Sequence, residues 1–263
     1  MSVNLLAPGC IGLWVHETGS AEGNLHAIQS MGFDYLALKV ADGPEPFPAA
    51  DSDILDRVAE DAGSIRLPLV TWSYNYPDRI SAQIEILRRR IPSTVQDHII
   101  DAESEWENEG LADAAQALCH GLAEATGHRV ALHLSSFYDP QLHALFPYAA
   151  FLSHCNSFMP QSYVEGQTPA SLVVQRTITS AKETADRAGR SIVPTVNRPD
   201  LLAMFATAGI RSANVWLWDG GGGDAGVSGQ ADSWLPAVRR FKEAGLAAAA
   251  TQRAGSQVLT PVP

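Results

Sequence analysis

The densest group of chemistry-bearing residues is the segment His98-Ile-Ile-Asp-Ala-Glu-Ser-Glu-Trp106. On an extended strand side chains alternate, so Ile99, Asp101 and Glu103 share one face while Ile100 and Ala102 share the other. Same-face neighbours are about 6.5–7 Å apart at Cα, so the two acids should feel each other's charge. Like-charge repulsion raises one pKa and leaves the other group ionised. A proton donor beside an anion is the pair that glycoside cleavage needs. Two other uses of the pair stay open: a salt bridge to a lysine such as Lys39, or a metal site.

Such a pair needs a rigid frame, and the chain supplies a repeating one. Apolar runs suited to buried strands occupy 11–16, 35–40, 67–72, 98–102, 130–134, 151–159, 191–196 and 214–218. Helical patterns fall between and after them, at 24–31, 52–62, 79–90, 111–126, 140–146, 169–188, 200–208 and 233–244. Continuous apolar strands are the mark of a parallel sheet with both faces covered. Eight strand–helix units in about 250 residues predict a single α/β domain, a (β/α)8 TIM barrel, over residues 1–246. Gly32, Gly63, Gly127, Gly189 and Gly209 each follow a helical pattern, as C-terminal helix caps do. An open doubly wound sheet would need a glycine-rich phosphate turn after an early strand, and there is none. Gly220–Gly223 follows the eighth strand and is expected to be a flexible loop. Residues 247–263 lose all periodicity and are expected to form an extended C-terminal tail.

In this fold the site lies at the C-terminal ends of the strands. The residues that follow each run are therefore the candidates. Asp101 and Glu103 are the expected catalytic pair. Glu17, Lys39, Trp72, Tyr74, His133, Gln161, Tyr163, Asn197, Trp216, Trp218 and Asp219 are the expected substrate-binding residues. Flat aromatic rings stack on the apolar faces of sugars, and carboxylates handle hydroxyls and protons. No GxSxG nucleophile elbow and no HExxH occur. The run Arg88-Arg89-Arg90 ends a helix, where cations complement the dipole, and is expected to be structural.

The chain has 263 residues, 46% hydrophobic and 18% charged, with 29 acidic against 18 basic residues and a formal charge of −11. An acidic field repels phosphate, which argues against nucleic acid and anionic membranes and suits a neutral or cationic substrate. Three cysteines, Cys10, Cys119 and Cys155, exclude a disulfide framework. There is no run of 18 apolar residues for a membrane span and no signal-peptide pattern at the N-terminus. No cofactor and no metal are expected.

Several segments resemble the glycoside hydrolase family 25 lysozymes. Gly32-Phe-Asp-Tyr-Leu-Ala-Leu-Lys-Val-Ala-Asp-Gly43 is similar to the second strand of that family. Asp101-Ala-Glu103 resembles the Asp-x-Glu pair that ends its fourth strand, a pair also seen in family 18 chitinase barrels. Met159-Pro-Gln-Ser-Tyr163 looks like the sixth-strand segment of these barrels, and Trp216-Leu-Trp218 like their aromatic eighth strand. The family's first strand carries Gly-x-Asp, whereas this chain has Gly12-Leu-Trp14, with Glu17 the nearest acid. The resemblance implies a retaining glycoside hydrolase acting on a bacterial cell wall or another extracellular polysaccharide. Glu103 would be the general acid. Asp101 would attack the anomeric carbon or steady a substrate acetamide that does so. Tyr163 and Gln161 would line the acetamide subsite, and Trp72, Tyr74, Trp216 and Trp218 would be the stacking walls. Without a signal peptide, a phage lysin or an exported effector is the expected setting. A non-catalytic carbohydrate-binding barrel and a metal-dependent barrel hydrolase are the alternatives.

Overall fold

The computed structural model describes residues 3–48, 53–219 and 226–257. Eight parallel strands form a closed barrel. They are β1 (Ile11–Val15), β2 (Tyr35–Asp42), β3 (Leu69–Tyr74), β4 (Asp97–Asp101), β5 (Ala131–Phe137), β6 (Ser157–Ser162), β7 (Ser191–Ile192 and Thr195–Val196) and β8 (Ala213–Val215). β1 pairs with both β2 and β8, which closes the ring. β7 is broken at Val193-Pro194, where proline has no N–H to give the ladder, and both pieces pair with β6. A two-residue strand, Glu45–Pro46, folds back antiparallel on the end of β2.

The main helices are α1 (Leu25–Ser30), α2 (Ile54–Ser64), α3 (Ile80–Arg90), α4 (Ala112–Ala125), α5 (Tyr148–Leu152), α6 (170–187), α7 (Pro199–Thr207) and α8 (Ala231–Gln257). The strand–helix alternation in the sequence is therefore a (β/α)8 barrel. Because strand side chains alternate, two apolar layers form. Trp14, Ala37, Val70, Trp72, Ile99 and Met159 fill the barrel interior. Leu13, Leu36, Ile100, Leu134 and Phe158 point outward and pack beneath the helices.

Four expected features differ. The run 151–159 becomes a strand only at Ser157, because Phe151 belongs to α5 and buries its ring against Trp106, 4.9 Å away. A short apolar run has no periodicity that separates buried helix from strand. Within 140–146 only Pro140–Leu142 is helical, as a single 3-10 turn. Pro147 follows and disfavours helix at the residue before it. Gly63 lies inside α2, and Arg66 rather than that glycine takes the left-handed turn conformation (φ 60°). Gly32, Gly127, Gly189 and Gly209 do adopt positive φ after their helices. Residues 247–257 are not extended but continue α8. Four consecutive alanines at 247–250 hold a helix without needing an amphipathic pattern. Gly220–Gly223 and residues 258–263 lie outside the described residues.

Candidate active site

β4 delivers Asp101 at its last position, facing inward, and Glu103 follows two residues later. Gln161, near the end of β6, joins them: its Nε2 donates to Asp101 Oδ1 and to Glu103 Oε1, each at 2.8 Å. Ser135 on β5 donates its hydroxyl to the same Asp101 oxygen at 2.9 Å. Asp101 is only 4% exposed. Burial pushes its carboxyl well above the usual carboxylate range, and the charge of Glu103 adds to this against the opposing hydrogen bonds. Glu103 is also raised, first by burial and then by the charges of Glu105 and Glu165. The pair thus favours holding a proton, as a proton donor requires.

The pair opens into a cavity of about 690 Å³. Its walls come from the ends of β6, β7 and β8, the 3-10 turn before α8 and the start of α8: Tyr163, Glu165, Asn197, Arg198, Trp216, Gln230 and Trp234. Tyr163 and Trp216 face each other with ring centroids 6.2 Å apart. Asn197 reaches sideways, accepting from Val164 N–H at 2.9 Å and donating to Val164 C=O at 3.2 Å. It holds the wall carrying Tyr163 and Glu165 in place.

Several expected binding residues have other surroundings. Trp72 is buried and forms a tilted, edge-to-face cluster with Trp14 and Trp216, at 5.0, 5.6 and 5.7 Å between ring pairs. Its indole donates to Val15 C=O at 3.1 Å, so it floors the mouth rather than walling it. Trp14 is buried in the same aromatic cluster where the lysozyme resemblance expects an acid. Trp218 turns outward under the helices and donates to Ser20 C=O at 3.0 Å. His133 sits low in the barrel between Ser157 (2.8 Å) and Asp97 (3.1 Å), because it occupies the third position of β5 while the mouth lies at the strand's end. Asp219 accepts the backbone N–H groups of His16 and Glu17 at 3.2 and 2.6 Å and ties the end of β8 to that of β1. Glu17 is exposed beside His16, with Nδ1 and Oε1 2.9 Å apart.

Lys39 and Tyr74 reach the opposite side of the mouth. Lys39 is buried under the rings of Phe47 and Trp72 and donates to Asp42 at 2.8 Å. Tyr74 donates its hydroxyl to Glu105 at 2.8 Å. Of the expected site residues, Asp101, Glu103, Gln161, Tyr163, Asn197 and Trp216 line the one cavity. Arg198, Gln230 and Trp234 line it too; Arg198 follows Asn197 at the same strand end, whereas Gln230 and Trp234 have no strand-end signal in the sequence. Gln230 ends a 3-10 turn before the last helix and Trp234 lies in that helix's first turn, where an aromatic after a glycine-rich stretch of sequence is the only hint. Among the described residues, no group of three or more His, Cys, Asp or Glu side chains is arranged to hold a metal ion. No described helix is long and apolar enough to cross a membrane.

No protein-family model matches the chain, and no curated protein sequence is significantly similar to it. Solved structures do share its shape. A chitinase from Bacteroides thetaiotaomicron superposes with a TM-score of 0.67 at 10% identity, covering 90% of this chain and 96% of that one. A chitinase from Chromobacterium violaceum gives 0.64 at 11% identity, covering 88% and 98%. A HpcH/HpaI aldolase/citrate lyase family protein from Burkholderia cenocepacia gives 0.53 at 13%, covering 97% and 95%. At such identities the likeness is one of fold, and this barrel hosts more than one chemistry.

Proposed function

We propose that the chain is a glycoside hydrolase acting on a polysaccharide of a bacterial cell wall or another extracellular matrix. The observation that carries this reading is the Asp101–Glu103 pair, bridged by Gln161 at one wall of a cavity lined by Tyr163 and Trp216. Paired carboxyls with raised proton affinity beside aromatic rings suit glycosidic bond cleavage. The chitinases that share the fold are consistent with it.

Glu103, half-buried at the cavity edge, donates its proton to the leaving glycosidic oxygen as the C1–O bond breaks. Asp101 is buried, with Oδ1 engaged by Ser135 and Gln161, so it reaches the anomeric carbon poorly. It is better suited to orient a substrate acetamide, whose carbonyl oxygen attacks C1. Water then opens the cyclic intermediate while Glu103 takes back a proton. This is the substrate-assisted variant of retaining hydrolysis.

The test is to screen the protein against peptidoglycan, chitin and other wall polysaccharides, with mass spectrometry of products. Proton NMR of fresh product should show retained anomeric configuration. Glu103→Gln should lose about 10²–10⁴-fold in rate while remaining folded. A Glu103→Gln variant as fast as the parent, or an inverted product, overturns the mechanism. Binding of a glycan that the unaltered protein never cleaves would point instead to a carbohydrate-binding barrel.

A further inference from the structure

The span that carries the acid pair leaves β4 at Asp101 and is gripped from the side by the chain that leaves β3. Asn75 N–H donates to Asp101 C=O at 2.8 Å, and Trp106 Nε1–H donates to Asn75 C=O at 2.7 Å. One residue thus holds both ends of the span 101–106, and between them the Tyr74 hydroxyl holds Glu105. Asn75 has its own support. It is buried, accepts the Ser73 hydroxyl at 2.8 Å and donates to Gln83 Oε1 at 3.2 Å. Gln83, on α3, also accepts the Tyr76 N–H at 3.1 Å and donates from Nε2 to the C=O groups of Tyr76 and Asp78, at 2.8 and 2.5 Å. Its amide is fully used and none of it is exposed. The one proton of Ser73 goes to Asn75, so His98 gives Ser73 its Nε2–H and accepts the Thr71 hydroxyl on Nδ1, at 3.1 and 2.9 Å. Burial lowers the pKa of His98 to about 3, so the network stays neutral above that pH. Glycine or proline would suffice to close a turn. A satisfied buried network fixes it in one placement.

We propose that Gln83 is a positioning residue for the general acid: it fixes the turn 75–78, and through Asn75 that turn sets where the span 101–106 places Glu103. This rests on the glycosidase reading above. Gln83 is buried under α3 and does not line the cavity, so it acts only through the turn. Releasing the turn loosens the span and lets water reach Glu103, whose proton affinity is raised first by burial. The titratable groups whose charge bears on Glu103 are Glu105 and Glu165, with Asp101, Tyr74 and Tyr163 beside it and Lys39 acting on Asp101. Gln83 bonds to none of them, so a variant at 83 changes the setting of Glu103 without changing the charges around it.

The experiment compares Gln83→Met, close in length but unable to make these bonds, with Trp106→Phe, which cuts the same link from its other end and keeps a ring against Phe151. Should Gln83→Met not fold, Gln83→Asn, whose amide is one methylene shorter, takes its place. Phe241→Ala, about two turns along α8 from Trp234, is the control for lost stability alone. All are compared where circular dichroism shows them folded. Carbon-13 NMR of labelled glutamate follows the Glu103 carboxyl without substrate, its signal assigned by its loss in Glu103→Gln. Both site variants should move that titration down toward the ordinary glutamate value of 4.5. With the glycan that the parent cleaves, kcat should fall about tenfold or more with KM within about twofold, and the alkaline limb of kcat/KM should move to lower pH. Phe241→Ala should leave all three in place. A folded Gln83 variant with an unmoved Glu103 titration and an unmoved limb overturns the proposal, and so does the same displacement in Phe241→Ala. A displacement at Gln83 without one at Trp106→Phe overturns the route through Asn75. Either result leaves hydrolysis by the parent, and with it the hydrolase reading, standing. A displaced titration in a protein whose parent cleaves no glycan would keep the link from Gln83 to Glu103 and defeat the hydrolase reading.

Discussion

Asp101 keeps a carboxyl where little water reaches it, beside a second acid. Its folded-state proton affinity is raised above the ordinary value of 3.8. The group therefore costs nothing below that value, and its cost grows as pH rises through the folded pKa. Asp101→Asn keeps the shape and can still accept from Ser135 and Gln161. It should stabilise the protein at neutral pH by on the order of 1 kcal/mol, the usual size of gain when a strained functional group is relieved. Thermal denaturation at neutral pH should show the gain, and near pH 3.8 it should vanish. A variant less stable than the parent at neutral pH would mean the buried carboxylate is net favourable. Glu105 acts on the neighbouring acid through its charge, which raises Glu103. Removing that charge with Glu105→Gln should lower the pKa of the general acid. The alkaline limb of kcat/KM, which reports the acid's loss of its proton, should then move to lower pH. A limb that stays put would mean the charge of Glu105 is screened from Glu103.

At the scale of elements, the barrel closes where β1 meets β2, and Gly12 decides how closely. A Cβ there would lie 2.2 Å from Tyr35 Cζ and 2.6 Å from Asn214 Oδ1. The Tyr35 hydroxyl donates to Asn214 Oδ1 across the interior, so neither atom can retreat without breaking that bond. Gly12→Ala should cost about 3 kcal/mol, the upper range for overpacking, read from urea unfolding. A cost under about 1 kcal/mol would show that the ring moves aside freely. Much of this frame was legible in the residues. Apolar runs such as 35–40 and 98–102 cannot be half-exposed strands, and four of the five glycines proposed as caps do turn the chain. Asp101 was legible because strand alternation holds through the end of β4, and Glu103, two residues beyond that end, still reaches the same cavity. Past a strand's end alternation is no longer enforced. β8 stops at Val215, so Trp216 and Trp218 part company, one to the cavity and one under the helices. His133 misled for the opposite reason: the run 130–134 stops before β5 does, so a residue low in the barrel looked like its rim. The wall residues Gln230 and Trp234 were hidden because they reach the site from the turn before α8 and from α8 itself rather than from a strand.

At the scale of the whole molecule, α8 closes the ring from outside and joins the two ends of the described chain. Trp234, Val238 and Phe241 recur at helical spacing and are buried. Lys242 donates to Asp34 at 2.6 Å and to Gly32 C=O at 2.8 Å, while Asp34 accepts the Ile11 N–H at 2.9 Å. One lysine thus links the last helix to the start of both β1 and β2. Gly245 lets α8 approach the N-terminal segment, since a Cβ there would lie 2.4 Å from Gly9 N. Beyond it the character changes: Leu246 is 59% exposed and alanines follow. The first half of α8 is therefore part of the barrel, while residues 246–251 of its second half are exposed or half-buried. We propose the domain boundary at residue 246 on this ground. A chain ending at Leu246 should fold and keep its Tm within about 2 °C, because residues 247–251 are exposed or half-buried and loss of such surface rarely moves stability by more than about 0.5 kcal/mol. Phe241→Ala in the full chain should cost about 3–5 kcal/mol, as for other buried aromatics. Calorimetric scans of both variants decide the matter. A large loss on truncation, with a small one at Phe241→Ala, would move the stabilising contacts of α8 into its alanine-rich half and would carry the domain past residue 246.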